Sequence, residues 1–342
     1  MKDLRIVYAG TRDRYFFPEL WCESAMRRLQ ELDVEVEIPD FDMNAAPEQW
    51  QDFLAGADAI VTTWNSPRID QSILDRTPDL KIVGHAAGSV AAYVSPELFA
   101  KAKVTGANDA MAHAVAEWCL LGGLMARRNV LAYTDFAGSR VPDFPGRSNC
   151  SSIRGSVVGI WGFGAVAAHL LEMLRPLLPA KVLVNSRHMS AEEAEKLGVT
   201  LVSLEELLAQ SDVVFTLAGL SQYTVGQLNA ERLALLKDGA VLINGGRGEL
   251  AEEDALIAEL RKGRIQAVLD VFHKEPLPED NPLITLPNVI LTPHNAGYPS
   301  RNHYIPMVVE EILRCFRGEP LRYEIKAEQV AFMTVSAATL KK

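Results

Sequence analysis

The chain has 342 residues, of which 48% are hydrophobic, and its 34 basic and 44 acidic residues give a formal net charge of −10. This length and apolar content predict a large core divided between about two domains. The acidic balance, without a local run of basic residues, argues against nucleic acid as a partner. The four cysteines are scattered, so we expect neither a disulfide scaffold nor a metal site.

The N-terminal sequence and the lengths of the apolar segments indicate the cellular location. Residues 1–8 become polar too soon for a signal peptide, and no segment has enough consecutive apolar residues to span a bilayer. We therefore expect a cytoplasmic protein without a membrane partner.

In chain order, the first part of the sequence alternates predicted strands with predicted helices. Apolar runs at residues 4–8, 34–38, 59–63, 80–84 and around Val104 predict strands, and an amphipathic pattern at residues 20–32 predicts a helix. Such alternation is typical of a parallel sheet covered by helices.

A long, mostly apolar stretch at residues 110–128 predicts a helix, which we assign to a second domain. Residues 133–154 contain several prolines and glycines and predict an irregular surface connection.

A second series of strands begins at residue 157. Further strands are predicted at residues 181–185, 213–217, 240–244, 267–270 and 289–291, and a last helix at residues 306–316. Two separate sheets suit this number of strands better than one. The fold class predicted is therefore α/β, with two parallel-sheet domains.

A glycine turn follows the strand that begins at residue 157 and leads into an apolar helix pattern. In dinucleotide-binding folds the first glycine permits a tight turn, and the second lets the backbone approach a pyrophosphate. The small Ala167 allows the helix to pack closely on the strand, and the N–H groups of the helix start face the phosphates. Such turns also arise for steric reasons alone, but the flanking strand and helix favour a nucleotide. The predicted cofactor contacts in the turn are Gly162, Phe163, Gly164, Ala165 and Val166.

The end of the next strand indicates which cofactor binds. A fold that binds NAD usually has a carboxylate there for the ribose hydroxyls, whereas this chain has Asn185, Ser186 and Arg187. Ser186 can donate a hydrogen bond to an adenosine 2′-phosphate, and Arg187 a charge-assisted one. Hydrogen bonds to charged groups are worth about 1.5–3 kcal/mol, so Arg187 alone would favour the phosphorylated cofactor by roughly tenfold to a hundredfold. We favour NADP(H); with NAD(H), the alternative, Arg187 is an ordinary surface arginine.

Polar side chains follow three later strands. Arg247 lies in a glycine-rich turn after Asn244, Glu275 follows the strand that ends at Asp270, and His294 follows the last strand. Ligands of open parallel sheets bind outside the carboxyl ends of the strands, so these groups should share a crevice. Each residue alone has an ordinary explanation as a surface or loop residue. Together they favour carbonyl reduction, because arginine binds a carboxylate and a histidine held by a carboxylate transfers a proton near neutral pH.

The chain resembles the D-isomer-specific 2-hydroxyacid dehydrogenases between about residue 79 and about residue 297. The resemblance is densest at residues 229–248, 263–277 and 291–294. It implies a flavodoxin-like substrate domain, residues 1–108 and 299–342, into which a dinucleotide-binding domain, residues 109–298, is inserted. It also implies a homodimer formed through the nucleotide domains.

The resemblance further implies roles for named residues. Arg247 would bind a 2-oxo acid, and Glu275 and His294 would form the proton-transfer pair. Gly245 and Asp270 would lie with the cofactor, Asp270 near the nicotinamide.

Three positions depart from the family pattern. The family's Gly-x-Gly turn, which offers backbone N–H groups to the substrate carboxylate, reads Ala87-Gly88-Ser89 here, and we expect the donors of Gly88 and Ser89 to remain. Met111 replaces an asparagine, and Gly219 replaces a proline that often faces the nicotinamide. The identity of the substrate therefore stays open.

The Asn-Ser-Arg sequence that ends at Arg187 resembles the NADPH-preferring glyoxylate and hydroxypyruvate reductases of this family. We predict reduction of a small 2-oxo acid to the D-2-hydroxy acid. One alternative is NAD-dependent oxidation of a phosphoglycerate-like acid, which the missing acidic residue disfavours. The other is a non-catalytic, nucleotide-sensing corepressor. The tail from residue 319 receives no assignment.

Overall fold

The computed structural model describes residues 4–42, 44–130, 150–330 and 333. Internal contacts divide the chain into two compact units. The first contains the described residues of Met1–Met111 and Tyr298–Ser336, and the second contains those of Ala112–Gly297. The second unit therefore interrupts the chain of the first.

The first unit is built on a five-stranded sheet. Its strands are β1 (Ile6–Tyr8), β2 (Ala59–Thr62), β3 (Ile82–His85), β4 (Lys103–Gly106) and β12 (Glu324–Ile325). They lie in the order β1-β2-β3-β4-β12, with β12 antiparallel to β4 and the other pairs parallel. The register places Ile60 opposite both Val7 and Val83. All residues of β1, β2 and β3 are buried, as expected for strands covered on both faces.

The helices of the first unit are α1 (Phe17–Leu20), α2 (Glu23–Glu31), α3 (Pro47–Leu54), α4 (Gln71–Leu74), α5 (Pro96–Lys101), α12 (Tyr304–Phe316) and α13 (Ala327–Val330). Helix α12 packs on the middle of the sheet. A Cβ at Gly84 of β3 would lie 3.0 Å from Cβ of Val308, so the glycine permits this close packing. The C-terminal segment of the chain thus completes the core of the first unit.

One strand predicted for this unit was wrong. Residues 34–38 run beside β1, but only Glu37 pairs with it, through two backbone hydrogen bonds: Tyr8 N–H donates to Glu37 at 2.8 Å, and Glu37 N–H donates to Ile6 at 2.9 Å. The segment lies at the sheet edge, where its side chains stay half-buried or exposed. The helix predicted at about residues 20–32 is confirmed as α2, which begins only at Glu23 because Cys22 adopts an extended conformation (φ −70°, ψ 169°).

The second unit contains a seven-stranded sheet in which every strand pair is parallel. Its strands are β5 (Val157–Trp161), β6 (Lys181–Asn185), β7 (Thr200–Leu201), β8 (Val213–Thr216), β9 (Val241–Asn244), β10 (Gln266–Leu269) and β11 (Val289–Leu291). The order is β11-β10-β9-β8-β5-β6-β7, and Val158 of β5 lies opposite both Val182 and Val213. The chain order therefore reverses at β5, the position at which doubly wound sheets bind dinucleotides.

The helices of the second unit are α6 (Asn108–Arg127), α7 (Ala165–Leu174), α8 (Ala191–Leu197), α9 (Leu204–Gln210), α10 (Ala230–Leu233) and α11 (Glu253–Arg261). Helix α6 belongs to this unit from Ala112 onward. A Cβ at Gly122 would lie 2.7 Å from Cγ1 of Val268, so α6 packs directly on β10.

The predicted fold class, two parallel-sheet α/β domains, is confirmed. The two-residue strands β7 and β12 had not been predicted, and most of the connection predicted at residues 133–154 lies outside the described residues. No helix in the described ranges has the length and apolar character needed to cross a membrane.

Candidate active site

The carboxyl end of β5 passes through a tight turn into α7. Gly162 has a φ of +89°, and a Cβ there would lie 2.4 Å from the backbone of Ala218, so only glycine fits. Gly164 is different, because a Cβ there would meet no protein atom within 4 Å. Packing therefore does not require a glycine at this position, whereas close approach of a pyrophosphate to the backbone does. The first-turn N–H groups of α7 have no partner within the helix and suit the same anion.

The burial of the other residues of the turn is consistent with a dinucleotide site. Phe163 and Val166 are half-buried, and Ala165 is exposed. Ala167 is fully buried, as expected for a helix that packs closely on the sheet. The turn thus suits the dinucleotide predicted from the sequence.

Ser186 and Arg187 follow β6. Ser186 is half-buried, and its hydroxyl accepts a hydrogen bond from the N–H of His188 at 3.4 Å. Arg187 is exposed, and its guanidinium carbon lies 4.0 Å from the ring centroid of Tyr223. The contact with Tyr223 was not predicted, since the tyrosine lies far along the chain in a loop without a motif.

The turn after β9 presents Arg247. Asn244 holds this turn, because its side-chain N–H donates to the carbonyl of Arg247 at 2.9 Å and its Oδ1 accepts from Gly246 N–H at 3.1 Å. A Cβ at Gly248 would lie 2.2 Å from the carbonyl carbon of Phe272. Glycine at this position therefore lets the Arg247 turn contact the segment that leads to Glu275.

Arg247 itself is half-buried, and its guanidinium donates to the carbonyl of Gly246 at 2.6 Å. Burial lowers the pKa of Arg247, while the negative charges of Glu275 and Glu249 act in the opposite direction. An arginine side chain stays protonated in proteins, so the turn presents a partly desolvated cation. Such a group binds carboxylates strongly and with defined geometry.

His294 and Glu275 form a hydrogen-bonded pair. The distance between His294 Nδ1 and Glu275 Oε2 is 2.6 Å, and Glu275 Oε1 accepts from Phe272 N–H at 3.0 Å. Burial raises the pKa of Glu275, but hydrogen bonds from His294 and Phe272 and the charge of Arg247 outweigh it, so the pKa falls below its ordinary value. An ionised carboxylate only accepts hydrogen bonds, which assigns the proton to Nδ1. Nε2 is then the ring atom that can exchange a proton with a substrate.

Asp270 fixes the loop that carries His294. The carboxylate is 2% exposed and accepts three hydrogen bonds: from the Thr292 hydroxyl at 2.6 Å, from Asn295 N–H at 3.0 Å and from Ala296 N–H at 2.9 Å. His294 has a φ of +52°, a backbone conformation that histidine seldom adopts and that this loop imposes. The structure therefore shows Asp270 as a positioning residue for His294, a function not predicted from the sequence.

Gly245, the other residue predicted to lie with the cofactor, follows β9 directly. A Cβ there would lie 2.8 Å from Sγ of Cys119 in α6. The small residue therefore permits contact between the Arg247 turn and this helix.

The substrate loop predicted at Gly88 and Ser89 follows β3 in the first unit. A Cβ at Gly88 would lie 2.8 Å from Cε of Met111, so the methionine that replaces the family's asparagine contacts this turn. His85, at the end of β3, is 1% exposed and bonds Thr62 Oγ1 at 2.9 Å, and burial lowers its pKa to about 3. His85 is thus a neutral structural residue.

The structure places Arg247, Glu275 and His294 at the carboxyl ends of three neighbouring strands, β9, β10 and β11. The turn that contains Gly162 and Gly164 lies on β5 of the same sheet. An arginine, a hydrogen-bonded histidine–glutamate pair and a glycine turn thus lie at the carboxyl ends of strands of one sheet. In the described ranges, no group of three or more His, Cys, Asp or Glu side chains is arranged to hold a metal ion.

Known proteins share both sequence and fold with this chain. Residues 124–296 match the family model described as D-isomer specific 2-hydroxyacid dehydrogenase, NAD binding domain. Glyoxylate reductase of Thermococcus onnurineus (strain NA1) is 31% identical over 309 residues, which cover 87% of this chain and 91% of that protein.

Two solved structures are similar over nearly the whole chain. A D-isomer specific 2-hydroxyacid dehydrogenase from Xanthobacter autotrophicus Py2, in complex with NADPH and MES, is 27% identical, with a TM-score of 0.68 and coverage of 95% of this chain and 99% of that chain. The NAD-complexed form of the corresponding enzyme from Lactobacillus delbrueckii ssp. bulgaricus shares the fold at 20% identity, with a TM-score of 0.75 and coverage of 94% and 99%. The chain therefore belongs to the D-isomer-specific 2-hydroxyacid dehydrogenase family of NAD(P)-dependent oxidoreductases.

Proposed function

We propose that the protein reduces a small 2-oxo acid, of the glyoxylate or hydroxypyruvate type, to the D-2-hydroxy acid. The observation that carries the proposal is the 2.6 Å contact between His294 and Glu275, within electrostatic range of Arg247. A relative that is 31% identical over most of both chains is named glyoxylate reductase, which supports this substrate class.

Arg247 binds the substrate carboxylate in this proposal. Its guanidinium can donate two parallel hydrogen bonds to the carboxylate and can also polarise the neighbouring oxo group. Gly88 and Ser89 of the first unit supply further N–H donors to the carboxylate. We accordingly propose residues 1–108 and 299–342 as the substrate domain and residues 109–298 as the nucleotide domain.

His294 supplies the proton. Its Nε2 donates to the oxygen of the developing alkoxide while Nδ1–H stays bonded to Glu275, whose carboxylate compensates the charge of the protonated ring. The nicotinamide cofactor, when bound, supplies the hydride that adds to C2. One hydride and one proton convert the oxo group to the hydroxyl group, and the reverse reaction uses neutral His294 as the base.

We favour NADPH over NADH as the cofactor. Ser186 and Arg187 at the end of β6 match the chemistry of a 2′-phosphate, and no carboxylate is present there to bind the ribose hydroxyls. The proposed cofactor contacts are Gly162, Phe163, Gly164, Ala165 and Val166 of the glycine turn, together with Gly245 and with Asp270, which we place near the nicotinamide by family resemblance. NAD(H) remains the alternative. A cytoplasmic homodimer is likewise proposed, from family resemblance and composition.

The proposal is tested by a panel of 2-oxo acids with each cofactor. We expect oxidation of NADPH with glyoxylate and hydroxypyruvate, and a higher KM for NADH. Turnover that requires 3-phosphohydroxypyruvate and NADH would support the phosphoglycerate-like alternative. Cofactor binding without turnover of any 2-oxo acid would support a nucleotide-sensing protein instead.

A further inference from the structure

Arg187 and Tyr223 contact each other from loops on opposite sides of β5. Arg187 follows β6, Tyr223 lies in the loop after β8, and both strands pair directly with β5. The guanidinium carbon of Arg187 lies 4.0 Å from the ring centroid of Tyr223. The two loops that flank the end of β5 are therefore joined through this pair.

The turn that carries Tyr223 is held by its own hydrogen bonds. The Thr224 hydroxyl accepts from Ser221 N–H at 2.8 Å and donates to the carbonyl of Gly219 at 2.7 Å. Tyr223 is nevertheless 58% exposed, so burial does not explain the position of its ring. A firmly held turn that presents an exposed ring to an arginine provides a rigid support for that arginine.

Stacking leaves the hydrogen-bonding capacity of Arg187 intact. A cation–π contact uses the face of the planar guanidinium, whereas its five N–H donors lie in the plane and point outward from the edge. In the part of the chain that the structure describes, Arg187 makes neither a hydrogen bond nor an ion pair. Its N–H donors are thus available to a ligand.

We propose that Tyr223 is a positioning residue for cofactor choice: its ring orients Arg187 so that the guanidinium edge meets the adenosine 2′-phosphate. The inference rests on the proposed preference for NADPH and adds a second determinant of that preference. An unsupported arginine at this position would have to be ordered when the cofactor binds, which would weaken the contact with the phosphate. Tyr223 removes part of this entropic cost in advance.

Binding of two small probes tests the inference without the catalytic reaction. Adenosine 2′,5′-bisphosphate carries the 2′-phosphate and AMP lacks it, so calorimetric Kd values for both separate the phosphate contact from the rest. The energy of an exposed cation–π contact corresponds to a change in Kd of about two- to fivefold. We expect Tyr223→Ala to raise the Kd of the bisphosphate by this factor and to leave that of AMP unchanged.

Matched variants make the result specific. Tyr223→Phe retains the aromatic face and should bind like the wild type. Gln222→Ala removes an exposed side chain from the same turn and controls for disturbance of the loop. The double variant Arg187→Ala/Tyr223→Ala should bind the bisphosphate no more weakly than Arg187→Ala, because the tyrosine acts only through the arginine.

The outcomes separate this inference from the cofactor proposal. If Arg187→Ala binds the bisphosphate as the wild type does, the proposed 2′-phosphate contact is wrong. If Arg187→Ala weakens bisphosphate binding but Tyr223→Ala matches Gln222→Ala, the positioning role of Tyr223 is wrong. The positioning role would also be wrong if Tyr223→Ala weakened the binding of both probes equally or tightened the binding of either. The ring would then contact or obstruct the adenosine itself.

Discussion

Glu275→Gln tests the function of the proton-transfer pair. Glutamine removes the negative charge beside His294 and keeps only one of the two oxygens that accept from Phe272 N–H and His294 Nδ1–H. The His294 side chain is 47% exposed and the Glu275 side chain 36% exposed, so solvent screens the pair. The short contact nevertheless places the pair at the upper end of the range for exposed ion pairs, about 1 kcal/mol. Loss of about 1 kcal/mol of stabilisation corresponds to a factor of about five in rate.

Reduction requires protonated His294, and the reverse oxidation requires the neutral ring. Loss of the charge should therefore lower kcat/KM for reduction about fivefold. The assay is kcat/KM for 2-oxo acid reduction at neutral pH with the wild type and Glu275→Gln.

Glu249→Gln is the matched control, because Glu249 also acts on the charge of Arg247, whereas the carboxylate bonded to His294 is that of Glu275. Its kcat/KM should match that of the wild type. A Glu275→Gln enzyme with the kcat/KM of the wild type, or a higher one, would refute the assignment of the pair.

Three further predictions concern the other side chains of the site. Arg247→Ala should raise the KM for the 2-oxo acid and lower kcat while the Kd for NADPH stays within about twofold, since its contact is with the substrate; an unchanged kcat/KM would contradict its role. Arg187→Ala should raise the KM for NADPH about tenfold or more and leave that for NADH unchanged, and an equal change for both would contradict the 2′-phosphate contact. Asp270→Asn should lower the free energy of unfolding by about 1–3 kcal/mol, because an amide cannot accept all three hydrogen bonds of the His294 loop; unchanged denaturant stability and turnover would contradict its positioning function.

The elements that the sequence predicts well are those with a local cause. The central strands read as short apolar runs because both of their faces are buried, and the turn at Gly162 combines a strand, two glycines and a helix within a few residues. Arg247, Glu275 and His294 follow successive predicted strands, and parallel topology predicts that they lie at the same end of the sheet. Parallel strands bring their carboxyl ends to one edge whatever the intervening helices contain.

Other features depend on partners distant in the chain. Residues 34–38 carry a strand-like alternation, but pairing at a sheet edge depends on the neighbouring strand, and only Glu37 pairs. The family resemblance places Asp270 near the nicotinamide, but no local pattern indicates that its two oxygens also hold residues 292–296. Tyr223 has no local signal at all, because its contact with Arg187 arises only when β6 and β8 flank β5.

The central claim is that His294 transfers the proton in 2-oxo acid reduction at this site. The most direct measurement is single-turnover reduction of hydroxypyruvate by NADPH with the wild type and His294→Ala, with chiral analysis of the product and a separate titration of NADPH binding. The account predicts D-glycerate from the wild type, and from His294→Ala a rate lower by roughly a hundredfold or more with nearly unchanged NADPH affinity. Near-native turnover by His294→Ala, or an L product from the wild type, would contradict it.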